Sequence, residues 1–244
     1  MSMLRSHLKH LWRLFFLQST HNERTMDGLG FFHVLSPEMR KWASSDAELK
    51  DIANRHMGYF NANPIVASYI LGIVQNMERR RAEGLESSLE RIDRVKSALS
   101  AALTAKGDYF FEVVLIPLGL TIASIFAMYS SYFGPVIFLA LYNYYHLQAR
   151  IGGYLMGLRV GEGLGRDLVK RIFKEQGALG GCAAFASGAL AALAVLRADA
   201  FGGFRFAGWG VAAAAAVFLL RRRISVIWTV VFVFVATAVY LLLI

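Results

Sequence analysis

Two carboxylates, Asp108 and Glu112, stand four residues apart in Gly107-Asp108-Tyr109-Phe110-Phe111-Glu112, at the mouth of the first strongly apolar stretch of this 244-residue chain. On a helix that spacing places both on one face. A charged group at membrane depth is costly unless it is paired or lines a wet cavity, so by default it marks a functional site. The plainer alternative is structural: Asp108 caps a transmembrane helix that begins after the break at Gly107. Glu112, one turn deeper, has no such role. A second polar interruption, Asn61-Ala62-Asn63-Pro64, precedes another apolar run. Proline disfavours helix at the residue before it, so Asn63 ends the preceding helix.

Other chemistries find no support. The six histidines (His7, His10, His21, His33, His56 and His146) share no metal or nucleophile spacing. Gly161-x-Gly163-x-Gly165 follows no strand, so it is no nucleotide-binding glycine loop. The single cysteine, Cys182, lies in a Gly/Ala-rich run and reads as a small packing residue. No metal, cofactor or catalytic residue is expected.

The elements that must position these groups are membrane elements. Hydrophobic residues make up 56% of the chain, and the mean hydropathy is +0.45. A soluble domain of this length carries more charge and fewer unbroken apolar runs, so the chain is expected to be an all-α integral membrane protein. The net charge of +9 needs no nucleic acid. The basic residues cluster at 150–174, at 221–223 and in the N-terminal third, where the positive-inside rule puts them.

Residues 1–107 are expected to form a cytoplasmic or interfacial helical region. Residues 1–20 read as an amphipathic helix with Leu4, Leu8, Leu11 and Phe15 on one stripe and Arg5, Lys9 and Arg13 on another. Such a helix lies on an anionic leaflet or packs on the body of the protein. It is not a signal peptide, since 11–17 is short and interrupted by Arg13. A helix through 31–35 is expected to end near Ser36-Pro37, followed by an amphipathic helix over 38–60. The run 65–74 is about half of the roughly 20 residues a crossing needs, so it reads as re-entrant or interfacial. Residues 77–106 read as a solvated, charged helix or helix pair.

Residues 108–244 are expected to be transmembrane, with about four to five transmembrane helices: 111–132 and 133–147 separated at Gly134-Pro135, a small-residue span 178–196 suited to close packing, and two final spans hinged at 221–223. Both basic segments are placed in the cytoplasm, with Ile244 external.

The same residues resemble one family. Phe15-Phe16-Leu17-Gln18-Ser19, Asn22-Glu23-Arg24 and Gly28-Leu29-Gly30-Phe31 are similar to the opening of the IID subunit of mannose/fructose/sorbose-type sugar phosphotransferase systems. Phe60-Asn61 with Pro64, Ile70-Leu71-Gly72-Ile73 and Met77-Glu78 resemble its next conserved region. Gly107-Asp108 falls where the family carries Gly-Asp-Pro. Gly134-Pro135-Val136-Ile137-Phe138 with Tyr142-Asn143, then Gly152-Gly153-Tyr154, Gly161 and Trp228, continue the resemblance in order. The chain departs from the pattern at Tyr109, Glu112 and Ile116, where the family has proline, tryptophan and arginine, and its loop before the penultimate span is shorter.

The resemblance implies a subunit of the bacterial inner membrane, multi-pass, that pairs with a IIC subunit as a trimer of heterodimers. It implies a hexose phosphorylated on entry by a cytoplasmic IIAB phosphocarrier, with no phosphoryl-carrying residue in this chain. Asp108, Glu112, Tyr109, Asn63 and Asn143 are then the substrate-binding residues, with Tyr109 and Phe110 offering an apolar face to a pyranose ring. Interrupted spans fit such a role, because free backbone groups are tolerated in a bilayer only where they line a cavity. The departures around Asp108 motivate a rival: a non-transporting scaffold of the same fold that regulates the phosphorelay.

Overall fold

The computed structural model describes residues 2–85, 88–161 and 173–198. Two compact units, Met1–Ala184 and Phe185–Ile244, divide the chain. The spans expected at 206–220 and 224–244, their basic hinge and the loop 197–206 lie outside the described residues, apart from the last helical residues through Ala198.

Every regular element described is a helix. Helix α1 (Ser2–Leu14), α2 (Gly28–Trp42), α3 (Asp46–Met57) and α4 (Ala67–Ala82) precede one long helix. That helix begins as α5 (Leu89–Asp108), passes through a π-helical stretch (Tyr109–Leu115) and continues as α6 (Ile116–Ala127). After a turn, α7 (Phe133–Leu147) runs through a second π-helical stretch (Gln148–Gly152) into α8 (Gly153–Val160). Helix α9 (Gln176–Ala198) follows.

Several expected boundaries move. Pro37 does not end a helix but sits inside α2, which runs on to Trp42. Helix α3 starts only at Asp46, because Ser45 is extended and its hydroxyl accepts from the Glu48 N–H, a regular N-cap. Asp108 is no cap: its backbone is helical and its side chain makes no capping bond. Nor is 77–106 simply a solvated face, since Met77, Glu78, Ile92, Lys96 and Leu103 are buried.

Helices α4 and α8 are the tightest pair. A Cβ on Gly72 would fall 2.3 Å from the Tyr154 carbonyl oxygen, and one on Gly157 2.4 Å from that of Tyr69. Gly153, Gly157 and Gly161 recur every fourth residue, so they form one stripe facing α4. Asn76 Nδ2 donates to the Leu158 carbonyl at 2.6 Å. The contacts 68/153, 72/157 and 76/161 advance together along both chains, so the two helices run in the same direction. Helices α6 and α7 form an antiparallel hairpin, with Gly119 under the Phe138 ring and Gly134 against Ala123.

Helix α1 packs on the body while keeping an apolar stripe outside. His10, Leu14 and Leu17 are buried, whereas Leu8, Trp12, Phe15 and Phe16 are exposed. Arg150, the first residue of the basic segment expected in the cytoplasm, is buried in the protein. Its guanidinium donates to the Leu14 carbonyl at 2.6 Å and lies 4.9 Å from the Phe15 ring. A cation at a helix C-terminus is favoured by the helix dipole.

Candidate functional site

The residues singled out in the sequence separate into two groups. Asn63 and Asp108 come together: Asn63 Nδ2 donates to Asp108 Oδ1 at 2.8 Å. The rest of the Asn63 amide is spent on its own turn, where Oδ1 accepts from the Ile65 and Val66 N–H groups after the Pro64 break. The Asn63 N–H donates to the Thr104 hydroxyl at 3.2 Å. Gly107 makes this approach feasible, because a Cβ there would stand 3.1 Å from the Asn63 side-chain carbon.

Glu112, Tyr109 and Asn143 are not brought to that pair. Tyr109 is half exposed and Glu112 is exposed. Asn143 is exposed on α7 and donates to the Leu139 carbonyl of its own helix.

Asp108 borders an open groove of about 460 Å³. Its floor is the α5 face carrying Lys96, Ser97, Ser100 and Thr104, and its rim is the extended segment Tyr59, Phe60, Asn61. The Ser100 hydroxyl donates to the Asn61 carbonyl and fixes the rim. Lys96 Nζ sits 4.4 Å from the Phe31 ring centre and 5.4 Å from that of Phe60, a partly desolvated cation–π seat. No described carboxylate lies within ion-pair distance of it.

The next residues of the same helix line a second space. Phe110 and Phe111 enter a cavity of about 240 Å³ bounded by Val66 and Tyr69 on one side and by Tyr145, Gln148, Ala149 and Gly152 on the other. Phe173 covers it, with its ring 5.9 Å from that of Phe110, and the Tyr145 hydroxyl donates to Glu175 at 2.8 Å. Both π-helical stretches therefore meet at one cavity. A π-turn carries an extra residue and an i→i+5 bond, here Ile116 N–H to the Phe111 carbonyl, and such turns concentrate at functional sites. Nothing in residue spacing announced them.

Sequence reasoning also missed a buried ionic cluster. Glu78, fully buried, accepts from Arg55 at 2.7 Å, His56 Nε2 at 2.9 Å and Arg81 at 3.0 Å. Arg81 reaches on to Glu48 at 2.7 Å. Burial pushes the His56 pKa down; the hydrogen bond to Glu78 opposes this, and the positive charges of Lys96 and Arg55 reinforce it. His56 Nδ1 is buried and unpartnered, which suits a neutral ring whose Nε2–H donates to the carboxylate. Burial alone would raise the Glu78 carboxyl, but its hydrogen bond from His56, with the charges and hydrogen bonds supplied by Arg55 and Arg81, holds it below the usual carboxylate range. The cluster pins α3 to α4. Among the described residues, no three His, Cys, Asp or Glu side chains are grouped to hold a metal ion.

A profile of the mannose/fructose/sorbose family IID component of phosphotransferase systems matches residues 4–196. The chain belongs to this family. The mannose-specific EIID component of Escherichia coli (strain K12) is 30% identical to this IID-family chain over 152 residues, covering 62% of it and 54% of the relative. The chain thus aligns with about half the length of the curated relatives it matches. A solved structure described as a membrane protein superposes with a TM-score of 0.74 at 24% identity, covering 96% of this chain and 95% of that one. A chain in the structure of the mannose transporter ManYZ with microcin E492 gives a TM-score of 0.60 at 23% identity, covering 96% and 94%. At these identities the superpositions establish the fold. The IID-family chain shares it with membrane proteins, and among the described residues one helix, Leu89–Ala127, is long and apolar enough to cross a bilayer.

Proposed function

We propose that this chain is the membrane IID subunit of a phosphoenolpyruvate-dependent sugar phosphotransferase system, a multi-pass protein of the bacterial inner membrane. With a IIC subunit it forms the pathway for a hexose, which a cytoplasmic IIAB phosphocarrier phosphorylates on entry. The heterodimers assemble as trimers. The observation that carries this reading is the Asn63–Asp108 pair, a carboxylate within the long helix Leu89–Ala127 held to the side-chain amide at the Asn63-Pro64 break. One Asp108 oxygen is committed to the Asn63 amide. A carboxylate has about four acceptor sites, so the others remain able to take sugar hydroxyls.

The test uses cells expressing the chain with its IIC and IIAB partners. Asp108→Asn keeps size and an acceptor oxygen but removes the charge. A charge-assisted hydrogen bond contributes roughly 1.5–3 kcal/mol, so the sugar KM should rise by about tenfold to a hundredfold with the amount of inserted protein unchanged. Glu112→Gln is measured beside it. Unchanged uptake in both variants would sink the site. The departures at Tyr109, Glu112 and Ile116 favour one second reading, a non-transporting scaffold of this fold in the phosphorelay. A wild-type complex that is assembled yet moves no sugar would select it.

A further inference from the structure

Arg150 is a full positive charge that is only 6% exposed, and no described carboxylate pairs with it. A charge taken out of water is costly unless an opposite charge and hydrogen bonds compensate it. The fold supplies part of that compensation. One guanidinium nitrogen, Nη1, donates to the Leu14 carbonyl, and the C-terminal end of α1 offers about half an opposite charge. Nε of the same group is buried and bonds to nothing described. His146 stands four residues earlier, on the same helix face, and its buried Nε2 is likewise unpartnered. A single ring covers both groups. The centre of the Phe15 ring lies 4.9 Å from the guanidinium carbon and 6.4 Å from the imidazole centre, yet Phe15 is 46% exposed. Exposed side chains change rotamer in picoseconds to nanoseconds, so one rotation of Phe15 uncovers two nitrogen donors beside an uncompensated cation.

The surroundings select the anion. Arg150 lies in the last turn of the helical run Phe133–Gly152, whose 15 α-helical and 5 π-helical residues extend about 30 Å, the thickness of a bilayer's hydrocarbon core. That places it at a membrane boundary. The same end of α1 leaves Trp12 and Phe16 exposed, and Leu147, next to His146, is exposed as well. Aromatic side chains of this kind gather at the headgroup level. A small soluble anion gains nothing from such a rim, whereas a phospholipid brings a phosphate for the two donors and acyl chains for the apolar surface. Basic pockets between membrane helices on the cytoplasmic side take anionic headgroups in this way. Arg13 is not available for the task, because its guanidinium is spent on the His33 carbonyl and the Ser36 hydroxyl. We propose that the seam between the end of α1 and the end of the second arm seats the phosphate of one anionic phospholipid, with Arg150 and His146 as donors and Phe15 as the cover it displaces. The bound lipid would staple α1 to the membrane arm. This inference concerns neither the sugar nor its path, and it rests only on the place of the second arm in the membrane.

The test uses the complex with its IIC partner, stripped of lipid in detergent and titrated with phosphatidylglycerol or phosphatidylcholine under native mass spectrometry. The tightest phosphatidylglycerol should bind roughly tenfold more strongly than phosphatidylcholine, whose choline cation cancels the net charge. Arg150→Gln keeps a donor for the Leu14 carbonyl and should abolish that preference. His146→Phe keeps a ring and removes a nitrogen that bonds to no described group, so it should weaken the preference roughly three- to tenfold. Arg159→Gln, at an exposed position of α8, should leave it unchanged. A preference absent from the wild type, or undiminished in both Arg150→Gln and His146→Phe, would overturn the seat. If Arg150→Gln does not assemble, His146→Phe decides alone. An equal loss in Arg159→Gln would reduce the effect to general attraction and overturn it too. Displacement of the lipid by millimolar inorganic phosphate would make the ligand a free phosphate and overturn the lipid. A wild type without preference whose Arg150→Gln form sheds its IIC partner would give the seat to an acidic side chain of that partner. No arm measures uptake, so failure here leaves the transport reading as it stands.

Discussion

At the residue scale the chain separates groups that work from groups that hold. Glu78 illustrates the second kind. Its carboxylate is out of solvent and shared by Arg55, His56 and Arg81, so removing its charge leaves two guanidinium groups facing each other in a buried site. Loss of one member of a buried pair is expected to cost about 3–5 kcal/mol. Glu78→Gln should therefore lower the thermal midpoint far more than Glu83→Gln, whose exposed partner Arg79 lies 3.9 Å away and contributes about 0–1 kcal/mol. Equal midpoints in the two variants would refute the cluster's structural role. The same site gives a pH dependence. Folding depresses the pKa of both His56 and Glu78, so the unfolded chain binds protons more readily than the folded one. Their contribution is present above the unfolded values and is lost on acidification, first for His56 as pH falls through its ordinary value of 6.5. Stability should decline from pH 7 to pH 5, and His56→Gln should flatten that decline. A decline of the same slope in the variant would assign the effect elsewhere. None of this was legible in the sequence, where Arg55, His56, Glu78 and Arg81 look like ordinary charges on amphipathic helices. Asn63 and Asp108 were legible, because a break before proline and a carboxylate before an apolar run are local signals. Their pairing was not, since it spans 45 positions.

At the element scale, hydrophobic runs located the helices better than they located the helix ends. Pro37 misled because packing overrides its missing N–H: Phe31, Val34 and Leu35 before it and Met39 and Trp42 after it are all buried, which holds α2 together past the proline. The π-helical stretches lay beyond reach, because one extra residue per turn leaves no mark in composition. The glycine stripe of α8 was present as Gly153, Gly157 and Gly161, yet only its partner α4 gives it meaning. That partnership makes a sharp prediction. Gly157→Ala would press a methyl group onto the Tyr69 carbonyl, 2.4 Å away, and neither helix backbone yields easily. Overpacking of this kind costs about 1–3 kcal/mol, which exceeds the roughly 0.5–1 kcal/mol gained from alanine's better helix propensity. Gly157→Ala should thus lower the midpoint. Gly180→Ala, where a Cβ meets nothing within 4 Å, should leave it unchanged or raise it. A Gly157→Ala protein as stable as the parent would mean that α4 and α8 are not packed backbone to backbone.

At the scale of the whole molecule, we propose that both arms of the α6–α7 hairpin cross the membrane: the first belongs to Leu89–Ala127, the one described helix long and apolar enough for a crossing, and the second matches it in length. From Tyr109 to Ala127 the first arm has 19 helical residues, and from Phe133 to Gly152 the second has 20. At 1.5 Å per residue each is about 30 Å long, the thickness of a bilayer's hydrocarbon core. Asp108 then stands at the entrance of the first arm and Arg150 near the end of the second, on the same side. The turn between the arms, Met128-Tyr129-Ser130-Ser131-Tyr132, has no basic residue, whereas Arg150 lies in the last turn of the second arm and Arg159 beyond it. Basic residues favour the cytoplasmic side, so the turn should face outward and the groove at Asp108 should open near the cytoplasm. In a Cys182→Ala background, Tyr132→Cys places a thiol at a position 91% exposed, and Arg159→Cys places one at an exposed position on α8. A membrane-impermeant maleimide added to intact cells should label the Tyr132→Cys protein, and should label the Arg159→Cys protein only after the membrane is opened. The opposite pattern would invert the hairpin and move the Asp108 groove to the external face. Labelling of both in intact cells would show that the two arms do not cross.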